Sequence, residues 1–172
     1  MARIEAGGTF TIPFLPPGHY RAEVLFASGP AAANSFVADI RQGGASVFDD
    51  GFVLSHGSEN PVEITLNSNG GSIEGNVLGV DRKPVPRTTV VLVPAVSRRK
   101  NPALYKTVQT DTQGHFAMTG IAPGSWRVFA WESVQPGAYQ NAEFLHPYEE
   151  RGTGVMVADG IRVNTEVTWI RK

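Results

Sequence analysis

Residues 8–21 read Gly-Thr-Phe-Thr-Ile-Pro-Phe-Leu-Pro-Pro-Gly-His-Tyr-Arg, and residues 114–127 read Gly-His-Phe-Ala-Met-Thr-Gly-Ile-Ala-Pro-Gly-Ser-Trp-Arg. Glycine, phenylalanine, proline and arginine recur in register, 106 positions apart (114 minus 8). So many matches at one spacing indicate two copies of a single supersecondary unit. Each copy places apolar stretches on both sides of a Pro-Gly turn, a pattern typical of strand, turn and strand. The repeat therefore predicts an all-β sandwich.

The apolar residues of the first copy predict where its strands lie. Phe10, Ile12 and Phe14 alternate with smaller or polar residues, as on one face of a half-buried strand. Tyr20 and Val24 continue the alternation after the turn. We expect both stretches to form strands.

The composition excludes several kinds of partner. The chain has 172 residues, a formal net charge of −1 and no cysteine. A nucleic-acid or anionic-membrane partner would require a basic face, so we expect neither. No apolar run is long enough to span a bilayer, and residues 1–25 do not have the layout of a signal peptide. Disulfides and thiolate chemistry are excluded because cysteine is absent.

A small, polar stretch, Asn-Ser-Asn-Gly-Gly at 67–71, divides the chain. We expect it to be a flexible boundary between two domains, a first repeat (1–68) and a second repeat (69–172). Two predicted strands, 73–78 and 88–94, precede the unit in the second repeat, and the first repeat has no counterpart to them.

The first repeat is therefore expected to be a partial copy that lacks its first strands, within a fragment of a longer protein. A second match, between 62–66 and 165–169 at a spacing of 103, extends the repeat toward the end of each copy. A sandwich without its first strands exposes edge backbone and core side chains. We expect the partial copy to pair with the second repeat or with another copy of the chain, which would give a homo-oligomer.

Several runs of the second repeat resemble the carboxypeptidase regulatory-like domains. They are Gly-Ser-Ile-Glu-Gly-Asn-Val at 71–77, Pro-Val at 84–85, Val-Val-Leu-Val-Pro at 90–94, Thr-Asp-Thr-Gln-Gly-His-Phe at 110–116 and Ile-Ala-Pro-Gly-Ser-Trp at 121–126. The resemblance covers 71–172 well and 8–66 in part. It implies a prealbumin-like (transthyretin-like), immunoglobulin-like β-sandwich, and it implies no peptidase activity because the regulatory-like domain is not the catalytic one. Some relatives are grouped with carbohydrate-binding-like folds. Residues 130–145 are similar to versions at the C-terminal ends of repeat-bearing envelope or secreted bacterial proteins.

No motif of a catalytic or metal site accompanies the repeat. The four histidines are scattered, and the pairs Asp49-Asp50 and Glu149-Glu150 place adjacent carboxylates on opposite faces of a strand. Asp111 and Asp159 are candidate Ca²⁺ ligands, although they lack a recognised loop signature. The basic run 98–100 is expected to be solvated. We expect no cofactor and no bound metal, and a hydrolase is the least favoured interpretation.

The aromatic residues around 126–148 allow two interpretations. Trp126 faces the core, so Phe129 and Trp131 must point to the outer face of the sheet. In the first interpretation, residues 132–152 fold over that face and bury both rings. In the second, exposed aromatic rings stack on a sugar or a peptide. The candidate ligand-binding residues are Trp131, Tyr139, Tyr148, Arg127 and Glu132.

Two functions remain after these exclusions. The first is a non-catalytic spacer or interaction module of a larger extracytoplasmic bacterial protein, whether periplasmic, outer-membrane-associated or secreted. Its partners would be neighbouring domains of that protein. The alternative is a carbohydrate-binding module that uses the aromatic cluster on the outer sheet face, with a glycan as its partner.

Overall fold

A computed structural model describes residues 2–26, 29–56 and 61–171 of the chain. Within those ranges strands predominate, and the α-helices α1 (Pro30–Ala33) and α2 (Ala142–Leu145) have four residues each. The strands of the first repeat are β1 (Gly18–Tyr20), β2 (Phe36–Gln42), β3 (Ala45–Ser46), β4 (Phe52–Leu54) and β5 (Val62–Asn67). Those of the second repeat are β6 (Gly71–Leu78), β7 (Thr89–Pro94), β8 (Lys106–Gln109), β9 (His115–Ile121), β10 (Gly124–Trp131), β11 (Thr153–Val157) and β12 (Arg162–Ile170). The predicted all-β class is confirmed.

The second repeat is a sandwich whose two layers are joined by its last strand. One layer has the order β8-β7-β10-β11, and all of its pairs are antiparallel. The other layer is formed by β9, β6 and β12, in which β6 and β12 run parallel. The last two residues of β12 leave β6 and pair with Ala130 and Trp131 of β10. Hydrogen bonding is therefore continuous from one layer to the other.

The main core lies between these layers and continues into the first repeat. Four consecutive residues of β7, Val90 to Val93, are fully buried, as expected for a β-branched strand with both faces covered. Phe36, Ile40 and Phe48 of the first repeat belong to the same buried cluster as Trp126 and Val128 of the second. The two repeats therefore share one hydrophobic core.

The internal repeat is visible in the strand pairing as well as in the sequence. In the second repeat Gly124 of β10 pairs with Val157 of β11, and Trp126 pairs with Val155. In the first repeat Gly18 of β1 pairs with Leu54 of β4, and Tyr20 pairs with Phe52. These positions are related by the same spacings of 106 and 103 residues that the sequence alone contains.

The expected strand at 10–14 is wrong. Residues 9–12 have no regular structure and 13–14 form a turn, and Phe14 is fully exposed with a φ of 61°. In the second repeat the equivalent strand, β9, pairs with β6. The described part of the first repeat contains no equivalent of β6, so the alternating residues have no partner strand.

The remaining strands of the first repeat are also rearranged. The strand expected from Tyr20 to Val24 ends at Tyr20, where β1 ends. β5, the counterpart of β12, pairs with β2 in an antiparallel three-stranded sheet with β3, whereas β12 pairs with β6. Among the described residues, β2 is thus the strand beside β5, whereas β6 is the strand beside β12.

The junction between the repeats is held by hydrogen bonds, contrary to the flexible boundary that its composition predicts. The backbone N–H of Gly70 donates to the carbonyl oxygen of Asn34 at 2.8 Å, and that of Gly160 donates to the carbonyl oxygen of Asn69 at 2.8 Å. Gly70 and Gly71 are both buried. Their lack of a side chain permits close approach: a Cβ on Gly70 would lie 2.6 Å from Asn34 O and 3.0 Å from Gly120 Cα.

Gly70→Ala is expected to destabilise the chain by about 2 kcal/mol, because the new methyl group must separate Asn34 from Gly120. Urea denaturation followed by circular dichroism measures the loss. Gly7→Ala is the matched control, since a Cβ at Gly7 meets no atom within 4 Å. Equal stabilities of the two variants would contradict a tightly packed junction.

Candidate functional site

The outer face of β10 carries the aromatic residues that the sequence singles out. Phe129 and Trp131 point away from the main core and belong to a second buried cluster, here called the outer cluster. The segment that covers them contains α2 and two 3-10 turns, Ala138–Gln140 and His146–Arg151. The outer cluster comprises Val91, Val93, Phe129, Trp131, Leu145 and Ile170, bordered by Tyr105, Val134, Tyr139, Phe144 and Tyr148.

Trp131 lies in the middle of the outer cluster. Its ring stacks on Phe129 at a centroid distance of 5.0 Å and meets Tyr148 edge-on at 5.8 Å. Only 2% of the residue is exposed, so its face is unavailable to a ligand. The interpretation in which residues 132–152 bury Phe129 and Trp131 is confirmed, and the exposed platform based on Trp131 is wrong. The covering segment supplies enough apolar surface to occupy both rings.

The other candidate residues lie around the edge of the cluster. Tyr139 and Tyr148 are half-buried, and the ring of Tyr139 lies 6.1 Å from that of Tyr105. Glu132 is exposed, and its backbone N–H donates to the carbonyl oxygen of Ile170 at 2.9 Å. The structure thus brings the candidate ligand-binding residues together. The tyrosines among them help to cover the outer face of β10 and do not form an exposed aromatic surface.

Arg127 holds the covering segment in place. Its guanidinium donates to the carbonyl oxygens of Glu149 at 2.9 Å and Gly152 at 3.1 Å. The carboxylate of Glu149 in turn accepts two hydrogen bonds from Arg99. Hydrogen bonding to Arg99 lowers the pKa of Glu149, and the positive charges of Arg99 and Arg127 lower it further, against the effect of burial. We call Arg99, Arg127 and Glu149 the arginine clamp.

The arginine clamp makes part of the stability dependent on pH. Since the pKa of Glu149 is lower in the folded than in the unfolded chain, its contribution is complete above the ordinary value of 4.5 and is lost as the pH falls through the folded value. Glu149→Gln is expected to reduce the free energy of unfolding by about 1 kcal/mol at neutral pH, and by less at an acidic pH well below the ordinary value of 4.5. Urea denaturation at both pH values checks this. Glu150→Gln, at an exposed neighbour, should change neither value, and a pH-independent loss in Glu149→Gln would contradict the clamp.

Composition predicts that the basic run 98–100 is solvated. This holds for Lys100, whose side chain is 75% exposed, but not for Arg98 and Arg99, which bind acidic residues about fifty positions away. Arg98 donates to both carboxylate oxygens of Asp49, at 3.1 and 3.2 Å, and its guanidinium lies 5.3 Å from the centroid of the Phe48 ring. Lys100 pairs with Asp50 at 3.2 Å. These ion pairs join the two repeats.

A buried asparagine reinforces the same contact. Asn101 is 3% exposed, and its amide nitrogen donates to the carbonyl oxygen of Phe48 at 2.9 Å. The opposite charges of the basic run and of Asp49-Asp50 are the sequence signal for this contact. The signal is weak because about fifty residues separate the two stretches.

The candidate calcium ligands do not converge. The carboxylate of Asp111 accepts hydrogen bonds from the backbone N–H groups of Gln113 and His115, which closes a turn. Among residues 2–26, 29–56 and 61–171, no three His, Asp or Glu side chains are grouped as a metal site. In the same ranges, no helix has the length and apolar character needed to cross a membrane.

Comparison with known proteins gives distant structural likenesses only. No family model and no curated protein matches the sequence. The chain is similar to the TIE protein of Bacillus anthracis (TM-score 0.38, 12% identity, 69% of this chain and 20% of that one). It is also similar to a Pseudomonas aeruginosa protein proposed to bind carbohydrate (TM-score 0.36, 16% identity, 57% and 87%). A third likeness is to the pilus 2b backbone protein of group B streptococcus (TM-score 0.39, 13% identity, 66% and 45%). The match spans less than half of the Bacillus and streptococcal chains. At these TM-scores none of the likenesses bears on function.

Proposed function

We propose that this chain is a non-catalytic, rigid β-sandwich module that spaces or presents parts of a larger extracytoplasmic bacterial protein. The observation that carries the proposal is the shared core, in which Phe36, Ile40 and Phe48 pack with Trp126 and Val128 of the following repeat. Two repeats that share a core keep a fixed relative orientation, as a spacer requires. The extracytoplasmic location rests on the resemblance to regulatory-like domains.

The contacts at the junction support the same proposal. The pair Arg98–Asp49 is bidentate and less than one-third exposed on both sides. Fork-shaped pairing of this kind fixes orientation as well as distance. The Arg98–Asp49 pair and the buried glycines at 70 and 71 therefore restrain the relative position of the two repeats at two separate places.

The burial of Trp131 argues against a carbohydrate-binding module that uses this ring as its platform. A glycan platform requires exposed ring faces, and this ring is occupied by Phe129, Phe144 and Tyr148. We therefore do not place the glycan site there.

Distance measurement between spin labels tests the rigid-spacer proposal. Because the chain has no cysteine, Val53→Cys with Val80→Cys labels one exposed site in each repeat without background. We expect one distance distribution, as narrow as that of the control pair Val80→Cys with Met156→Cys, which lies within the second repeat. A much broader distribution for the pair that spans the repeats would overturn the proposal.

A pull-down on soluble and insoluble polysaccharides tests the alternative. The spacer proposal expects no retention of the chain on any of them. Retention on one glycan, with no retention on the others, would replace the spacer by a carbohydrate-binding module and direct the search for its site away from Trp131.

A further inference from the structure

The outer face of β10 continues beyond the outer cluster, toward the start of the strand. Arg127 lies two residues before Phe129 and therefore points to the same face. In the β10–β11 pair, Arg127 lies opposite Gly154, and Ser125 lies opposite Met156. Directly paired residues of neighbouring strands share a face of the sheet. A stretch of outer face formed by the start of β10 and by β11 therefore lies next to the covering segment.

This stretch lines an open groove, here called the β11 groove. Its volume is about 410 Å³, and its other wall is the chain that follows β7, residues 94–99. Small-molecule sites in proteins have volumes of roughly 300 to 1,000 Å³. Gly154 lines the groove, and a Cβ there would meet no atom within 4 Å, so this part of the lining is bare backbone. Val96 and Met156 also line it and are 73% and 67% exposed, which offers an aliphatic ligand two apolar contacts.

The charged side chains of the β11 groove favour an anion. Arg99 and Arg127 both line the groove, and both form ion pairs with the carboxylate of Glu149. Among the described residues, no other carboxylate forms an ion pair with either arginine. Two guanidinium groups thus share one carboxylate, which leaves a positive charge beside the apolar lining. A cleft with an excess of one charge attracts ligands of the opposite charge.

Arg127 is the arginine that has a donor left for a ligand. Its Nη1 donates to the carbonyl oxygens of Glu149 and Gly152, and its Nε lies 3.8 Å from the Glu149 carboxylate. Its Nη2 takes part in no hydrogen bond with the described residues, and 40% of the side chain is exposed. Arg99, by contrast, uses Nε on the carbonyl oxygen of Pro94 and both Nη atoms on Glu149, and only 14% of its side chain is exposed. A ligand carboxylate would therefore accept a charge-assisted hydrogen bond from Arg127.

We propose that the β11 groove is a binding site for a small organic carboxylate with an aliphatic body. The carboxylate accepts a hydrogen bond from Nη2 of Arg127, and the aliphatic body lies over Gly154 in contact with Val96 and Met156. This inference goes beyond the rigid-spacer proposal, because it adds a ligand to a module that otherwise only sets a distance.

Titration of the full chain with hexanoate, followed by nuclear magnetic resonance, tests the site. We expect a dissociation constant of about 1 mM, with the largest shifts at the Gly154 amide and at the Nε–H of Arg127. Hexanamide has the same aliphatic body without the charge, and acetate has the charge without the body. Each should bind about tenfold more weakly than hexanoate, because each lacks one of the two contacts.

A substitution that fills the groove tests its position. Gly154→Leu places a side chain in the open space above the β11 backbone, so we expect it to weaken hexanoate binding by about tenfold or more. Ala117→Leu is the matched control, because it adds the same side chain at an exposed position of β9, in the other layer. It should bind hexanoate as the unchanged chain does. Circular dichroism of both variants verifies that a loss of binding is not a loss of folding.

Several results would overturn the carboxylate site. They are no binding of hexanoate, equal binding of hexanoate and hexanamide, shifts confined to another part of the chain, and binding that Gly154→Leu leaves unchanged. Shifts at Gly154 that grow with protein concentration in the absence of hexanoate would also overturn it, and would make a second copy of the chain the occupant. The spin-label distances are measured without hexanoate, so they report separately on the rigid-spacer proposal.

Discussion

Gly75→Ala is expected to disrupt the parallel pairing of β6 with β12 and to lower the stability by about 3 kcal/mol or more, equivalent to a fall in the melting temperature of about 10 °C. Gly75 is buried and lies directly opposite Thr165 in that pair. A Cβ at this position would overlap the carbonyl oxygen of Thr165 and lie 2.8 Å from its carbonyl carbon. Backbone atoms cannot move aside as a flexible side chain can, so the two strands must separate.

Thermal unfolding followed by far-ultraviolet circular dichroism measures this loss. Gly154→Ala is the matched control: Gly154 is also in a strand of the second repeat, but a Cβ there meets no atom within 4 Å. The control should melt within about 2 °C of the unchanged chain. If Gly75→Ala melted at the same temperature as Gly154→Ala, the close approach of β6 to β12 would be refuted.

Trp131→Ala is expected to cost about 3 to 5 kcal/mol, because it removes the ring at the centre of the outer cluster and leaves a cavity that the covering segment cannot close. Phe129, Phe144 and Tyr148 would all lose their contact with the indole. Urea denaturation followed by far-ultraviolet circular dichroism is the suitable measurement, since the substitution removes a fluorophore. The near-ultraviolet signal of the remaining aromatic residues should weaken with the packing of the segment.

Trp131→Phe separates ring packing from hydrogen bonding. The indole Nε1 of Trp131 is buried and has no hydrogen-bond partner among the described residues. Phenylalanine keeps an aromatic ring in place and removes that unpaired donor, so we expect its stability to lie within about 1 kcal/mol of the unchanged chain. An equal loss in both variants would show that the cluster depends on something other than ring packing.

Local patterns in the sequence predict the parts of the fold that depend on local chemistry. The β-branched run at β7 and the alternation along β6 predict strands that the structure contains. The period of two along β10 correctly assigns Trp126 to the main core and Trp131 to the opposite face.

Features that depend on distant partners could not be predicted in this way. The alternation around Phe14 has the same appearance as that of β9, but a strand forms only where a neighbouring strand accepts its hydrogen bonds. Gly70 belongs to a stretch whose composition favours flexibility, yet contacts with Asn34 and Gly120 make the same small residue a close-packing requirement. The local sequence predicts that Arg98 is exposed, because it does not show that folding brings the distant Asp49 beside it.

The parallel pairing of β6 with β12 has a mechanical consequence. The chain enters the second repeat at the start of β6 and leaves its last strand at Ile170, and the two strands are paired along seven residue pairs. Tension applied at these two points pulls neighbouring parallel strands in opposite directions along their axes. All the hydrogen bonds between them are then loaded together in shear, whereas pulling across the strands would open them one after another. The lifetime of the sandwich under load is set by the rate at which force unfolds it. Because the hydrogen bonds must break together, we expect the shear arrangement to slow this unfolding, so that the sandwich transmits force without extending.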